Sequence, residues 1–138
     1  DNYEFFMANI PDTLNVIDEL INQIDTAEFN NELKLQPNMK ELYHQLGIAY
    51  TKMGQFKKAL NFFQEAIRIF PDYPEAYNNM GFVFLKLGFY KKAIKILQDA
   101  ILLKKNFTNA YYNLGVAQLK LGREDEAKET FKMANRIN

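Results

Sequence analysis

The chain has 138 residues, 48% of them apolar, with 17 basic and 17 acidic side chains and no cysteine. That length suits one ordinary domain with a sizeable core. The missing cysteine excludes disulfides, thiolate metal sites and cysteine nucleophiles, and no run approaches the roughly 20 apolar residues that a membrane span needs. The zero net charge hides a split: residues 1–39 carry eight acids against one base, and residues 40–138 carry nine acids against 16 bases. The split reads either as two solvated surfaces or as a device for association.

Residues 1–10, with Tyr3, Phe5, Phe6 and Met7, read as a lead-in helix, a tail or a truncated repeat. No signal peptide is visible, and because the chain opens at Asp1 rather than methionine, a leader that was removed or never cloned stays open as an alternative. A cytoplasmic location is the expectation. Asn9-Ile10-Pro11-Asp12 predicts a helix start, with proline and acids where the first turn favours them. Leu14, Ile17, Leu20 or Ile21, and Ile24 then form an apolar stripe. A second segment with Phe29, Leu33 and Leu35 ends at Gln36-Pro37-Asn38. Phe29 and Pro37 fall one 34-residue step before Phe63 and Pro71. Residues 1–39 therefore read as an acidic helical cap or a degenerate half-repeat.

From residue 40 onward one pattern returns every 34 residues. Its columns are Tyr43, Tyr77 and Tyr111; Gly47, Gly81 and Gly115; Gly54, Gly88 and Gly122; Ala59, Ala93 and Ala127; and Ala66, Ala100 and Ala134. A fixed period of this size signals stacked supersecondary units. The units run over 40–73, 74–107 and 108–138, and each predicts two helices. In the first unit Tyr43, Leu46, Gly47 and Tyr50 share one helical face, and Gly54 ends that helix. Ala59, Phe63, Ala66 and Ile67 share a face of the next helix, which stops before Phe70-Pro71. Small Gly47 and Ala66 let helix axes approach, while Tyr43 and Phe63 fill the gaps. The last helix has Lys128, Thr130 and Asn135 where earlier units have apolar residues. Its outer face is expected to be polar, as at the end of an array, with no further unit of standard type after Asn138.

The aromatic-x₂-Leu-Gly-x₂-Tyr, Ala-x₃-Phe, Pro pattern resembles the tetratricopeptide repeat (TPR). The first unit carries it through Tyr43, Leu46, Gly47, Tyr50, Ala59, Phe63, Ala66 and Pro71. The second departs at Met80, Phe84 and Lys105, and the third at Gln118 and Glu124. The resemblance implies an all-α, right-handed superhelical solenoid of antiparallel helix pairs, preceded by the extra N-terminal helical segment.

Catalytic constellations are absent from the sequence. His44 is the only histidine, the glycines are single and periodic, and Asp125-Glu126 sits at a helix start. The expectation is a non-enzymatic protein with no cofactor and no metal. In a stacked array the first helices line a concave groove, and their outward columns can be read directly. Gln45, Asn79 and Asn113 offer carboxamides that both donate and accept. Ile48, Phe82 and Val116 form an apolar strip, Lys52, Lys86 and Lys120 a basic ladder, and His44, Asn78 and Tyr112 lie beside them. Each column also reads as ordinary solvated helix surface, but an exposed apolar row argues for a partner that covers it. The resemblance makes these columns the expected peptide contacts. It also allows one ligand to be set aside: the two-carboxylate clamp that holds a chaperone C-terminus would fall on His44, Ile48, Asn79, Asn109 and Asn113, and only Asn79 fits.

The expected function is therefore a protein–protein interaction module whose groove holds an extended partner segment with apolar and acidic residues. The alternative is a self-assembling scaffold, organelle- or membrane-associated, in which the acidic N-terminal region docks on a neighbour's basic groove. Lys57-Lys58, Lys91-Lys92 and Lys104-Lys105 form a second basic feature. It reads as a solvated face, and the neutral chain without a stacking platform disfavours nucleic acid.

Overall fold

The computed structural model describes residues 15–22 and 39–137. Every regular element among them is helical. The chain divides into two compact units, Asp1–Pro71 and Asp72–Asn138.

The first unit holds helix α1 (15–22), α2 (Met39–Lys52) and α3 (Phe56–Ile69). In α1 the expected stripe appears as buried Ile17 and Leu20, while Leu14 and Ile24 lie outside the described residues. Leu42, Tyr43, Leu46, Gly47 and Ala49 bury one face of α2 against Ala59, Phe63 and Ala66 of α3. Gly47 is required by this approach, because a Cβ there would collide with the Phe63 ring. Tyr50 stacks on Phe62 with centroids 5.4 Å apart and the rings nearly parallel, which adds about 0.5–1.5 kcal/mol beyond buried area. Gly54 ends α2 at a φ of 75°, in the left-handed region. The amide of Gln55 then donates to the carbonyl of Tyr50 at 2.9 Å, the six-to-one bond of a Schellman stop.

The second unit holds α4 (Pro74–Lys86), α5 (Tyr90–Leu103), α6 (Thr108–Lys120) and α7 (Glu124–Ile137). Helices α4 and α5, α5 and α6, and α6 and α7 pack in turn, and α4 also touches α6 directly. The core is built from Ala93, Ile94, Leu97 and Ala100 of α5 against Ala110, Leu114 and Ala117 of α6, with Phe107 at the corner. Tyr77, Phe84 and Leu85 of α4 also pack against it. The Schellman stop recurs twice, from Phe89 to Phe84 and from Arg123 to Gln118, both at 2.9 Å.

One sequence expectation about this unit needs adjustment. The sequence puts Thr130 on a polar outer face, yet it is 8% exposed. Its hydroxyl lies 2.7 Å from Oε1 of Gln118 and 2.9 Å from the carbonyl oxygen of Glu126. The packing of a unit's two helices sets these positions opposite each other, where the first unit stacks Tyr50 on Phe62. Two departures from the repeat pattern are thus one compensated pair, while Lys128 and Asn135 are exposed as expected. Lys57, Lys58, Lys91 and Lys92, which open α3 and α5, are exposed as expected, and two of them also approach aromatic rings. Lys58 sits 5.6 Å from the Tyr50 ring centroid, and Lys92 5.9 Å from Phe84 and 5.4 Å from Phe89. Such contacts contribute about 0.5–1 kcal/mol at exposed sites. That offsets the few tenths of a kcal/mol that a cation costs at a helix N-terminus.

Candidate functional site

The residues expected to contact a partner fall on three helices. Those of the first unit lie on α2. Gln45 and Lys52 are exposed, and His44 and Ile48 are half-buried. The His44 ring tilts against Phe63 at 5.6 Å, so the same ring that covers Gly47 also fixes the imidazole. In the second unit α4 carries Asn78, Asn79, Phe82 and Lys86, and α6 carries Tyr112, Asn113, Val116 and Lys120. Helical spacing sets each quartet along one face, at steps of three and four residues.

The contact between α4 and α6 joins the two quartets into one surface. Nδ2 of Asn113 donates to Oδ1 of Asn78 at 3.1 Å, across 35 residues of sequence. Asn78 is only 7% exposed. Its expected role as a side chain standing open to a partner is therefore corrected: it lies in the seam between the helices and holds Asn113. The apolar strip is also more covered than expected. Ile48, Phe82 and Val116 are half-buried. Lys86 places its ammonium 5.4 Å from the centroid of the Phe82 ring, so two of the expected columns are in contact with each other. Tyr112 is the open aromatic of the set at 59% exposure, with its ring 5.7 Å from that of Phe131. Lys120 is exposed, as is Asn109.

The surface is one of amides, half-covered apolar groups and lysines, a mixture that suits recognition. Among the described residues no cluster of histidine, cysteine or acid could hold a metal ion, and no helix is long and apolar enough to cross a membrane. A separate cavity of about 370 Å³ lies between Lys105, Asn106, Tyr111, Met133, Arg136 and Ile137, and none of the twelve expected residues lines it. The Asn78–Asn113 bond is the feature that sequence reasoning missed. Two carboxamides one period plus one residue apart, on helices that touch, are the signal that could have revealed it.

Two repeat-family profiles match the chain, "TPR repeat" over residues 47–88 and "Tetratricopeptide repeat" over residues 72–137. The chain belongs to the tetratricopeptide-repeat family. Solved TPR structures agree. The TPR domain of Arabidopsis OM64 is 31% identical, with a TM-score of 0.71 over 72% of this chain and 82% of that one. The second TPR of Spaghetti (RPAP3), bound to the HSP90 peptide SRMEEVD, is 25% identical, with a TM-score of 0.71 over 76% and 94%. MamA is 25% identical, with a TM-score of 0.71 over 99% of this chain and 84% of that one. No curated protein matches this TPR chain.

Proposed function

We propose that the first helices of this TPR protein bind an extended segment of a partner protein. The observation that carries the reading is the continuous surface of the second unit. Asn79 and Asn113 offer carboxamides, Phe82 and Val116 offer partly covered apolar contact, and Lys86 and Lys120 stand exposed nearby. Carboxamides match the donors and acceptors of an extended backbone, apolar groups take alternate side chains, and lysines draw acidic residues and raise the association rate. The RPAP3 relative, bound to SRMEEVD, supports peptide binding as the general mode. The ligand class differs here, because His44, Ile48, Asn109 and Asn113 stand where a terminal carboxylate would need other donors. The partner segment is thus internal, apolar and acidic rather than a free chaperone terminus.

The test begins with a heptapeptide selected from a displayed random library on the purified chain. Calorimetric titration should show at least tenfold weaker binding when Asn79 and Asn113 are both alanine, in a chain that stays helical by circular dichroism at the titration temperature. Equal affinity for the double variant would remove the proposal.

The charge split of the sequence supports a second reading, in which the acidic residues 1–39 of one molecule dock on the basic face of another. Such a head-to-tail contact builds chains or rings. Light scattering should then show mass rising with concentration and falling with salt. A monomer at every concentration would exclude it.

A further inference from the structure

We infer that the cavity at the end of α7 is a second binding site and takes an organic anion, an acidic group carried on a compact apolar body. The site lies apart from the partner surface of the first helices, whose expected residues do not line it. Three pieces of the chain build it. Lys105 and Asn106 stand in the turn between α5 and α6, Tyr111 on α6, and Met133, Arg136 and Ile137 on the last turns of α7. Met133 lies three residues before Arg136 and four before Ile137, so these side chains share one helical face. The volume of about 370 Å³ falls in the range of small-molecule sites, about 300–1,000 Å³. The lining divides into an apolar wall of Tyr111, Met133 and Ile137 and a polar rim of Lys105, Asn106 and Arg136, with two cations and no acid.

The charge of the rim is not a leftover of the repeat. Arg68 and Glu65 fall two periods before Arg136 and Met133. In the first unit Arg68 donates to Glu65 at 2.7 Å, so the arginine of this column is neutralised by the acid one turn before it. One period on, the same columns hold Leu102 and Asp99, and Asp99 is paired with Lys95 at 3.2 Å. The last repeat alone of the three keeps the arginine and replaces the acid with methionine. Glu129, the nearest acid in sequence on α7, is taken by Lys132 at 3.2 Å. In the turn before α6, Lys104 pairs with Glu75 at 3.6 Å, while Lys105 stands where the repeat has proline. Among the described residues no acid pairs with Lys105 or Arg136, so both charges are free for a ligand. An exposed ion pair alone is weak, because water competes for both partners. The planar fork of Arg136 matches the two oxygens of a carboxylate, and burying an apolar body against Met133, Ile137 and Tyr111 supplies the rest. An inorganic ion lacks the body and a neutral hydrocarbon lacks the charge, so the site selects their combination.

The probe is naphthylacetate, titrated against the whole chain with isotope-labelled methionine methyl groups and followed by NMR. The chain has five methionines, and the Met133 signal is the one lost in Met133→Leu. That signal should shift and saturate, with a dissociation constant on the order of 1 mM for a ligand of this size. The signals of buried Met39 and Met80 should stay in place. Arg136→Gln and Lys105→Gln each remove an exposed charge and should weaken the probe about fivefold. Lys128→Gln, exposed on α7 but outside the cavity, should change nothing. Uncharged naphthylethanol, with the same body, and acetate, with no body, should each bind about fivefold more weakly than the probe or worse. A Met133 signal that does not move, or equal affinity in the natural chain and both charge variants, would overturn the site. Acetate that displaces the probe at equal concentration would overturn it too, since the rim would then be a bare pair of cations.

Discussion

Gly81→Ala tests whether the glycine column exists for close approach. A Cβ built on Gly81 would lie 2.5 Å from both Cγ and Cδ2 of Leu97. Cγ is the branch point of that side chain, and Leu97 is fully buried, so it cannot swing aside. Overpacking of this kind costs about 1–3 kcal/mol. Replacing a mid-helix glycine with alanine returns about 1 kcal/mol of helix propensity. The close contact places the clash near the upper end, so the net loss is about 1–2 kcal/mol. Leu97→Ala alone should cost about 2–5 kcal/mol through the cavity it leaves. In that background the clash is gone, and Gly81→Ala should become stabilising by about 1 kcal/mol. Urea unfolding of the four chains followed by circular dichroism gives the double-mutant cycle. If Gly81→Ala changes stability by the same amount and sign in both backgrounds, Leu97 is not the reason for glycine.

Gly88→Ala should destabilise through a different cause. Its φ of 84° lies in the left-handed region while nothing stands within 4 Å of its Cβ position, so a loss of about 1 kcal/mol should appear whatever residue 97 is. Thr130→Val should cost about 1–3 kcal/mol by leaving the buried oxygen of Gln118 without a partner, whereas the double change Gln118→Phe with Thr130→Ile should recover most of it in the same unfolding assay. Lys104 lies 3.6 Å from the Glu75 carboxylate and 4.6 Å from the Phe107 ring centroid. Glu75→Gln should therefore cost less than about 1 kcal/mol and lose its effect at high salt, while Lys104→Ala should cost more and stay partly salt-resistant because it also loses the ring contact.

The helices were legible because their contacts repeat. Tyr43, Gly47, Ala59 and Phe63 meet within one unit, and the same meeting is written again one period later, so three copies disclose the packing. What the sequence concealed were contacts made once. Thr130 and Gln118 each look like solvated helix residues when read alone, and only their facing positions turn them into a buried pair. Asn78 misleads in the same way, since a polar side chain on a first helix gives no sign of lying in a seam. The apolar strip looks exposed in the sequence because spacing cannot show Lys86 folding back over Phe82.

The bond between Thr130 and Gln118 also determines how these repeats could be shuffled. A crossover inside the last unit, joining α6 to a copy of α5, would set Gln118 against Ile96 and leave the amide with an alkyl neighbour. The reciprocal chimera would press Phe84 onto a threonine hydroxyl. A crossover in the turn before α6 carries both partners together and leaves each pair intact. The unit of inheritance in this chain is therefore the hairpin of two helices, and viable recombinants should break between hairpins rather than within them.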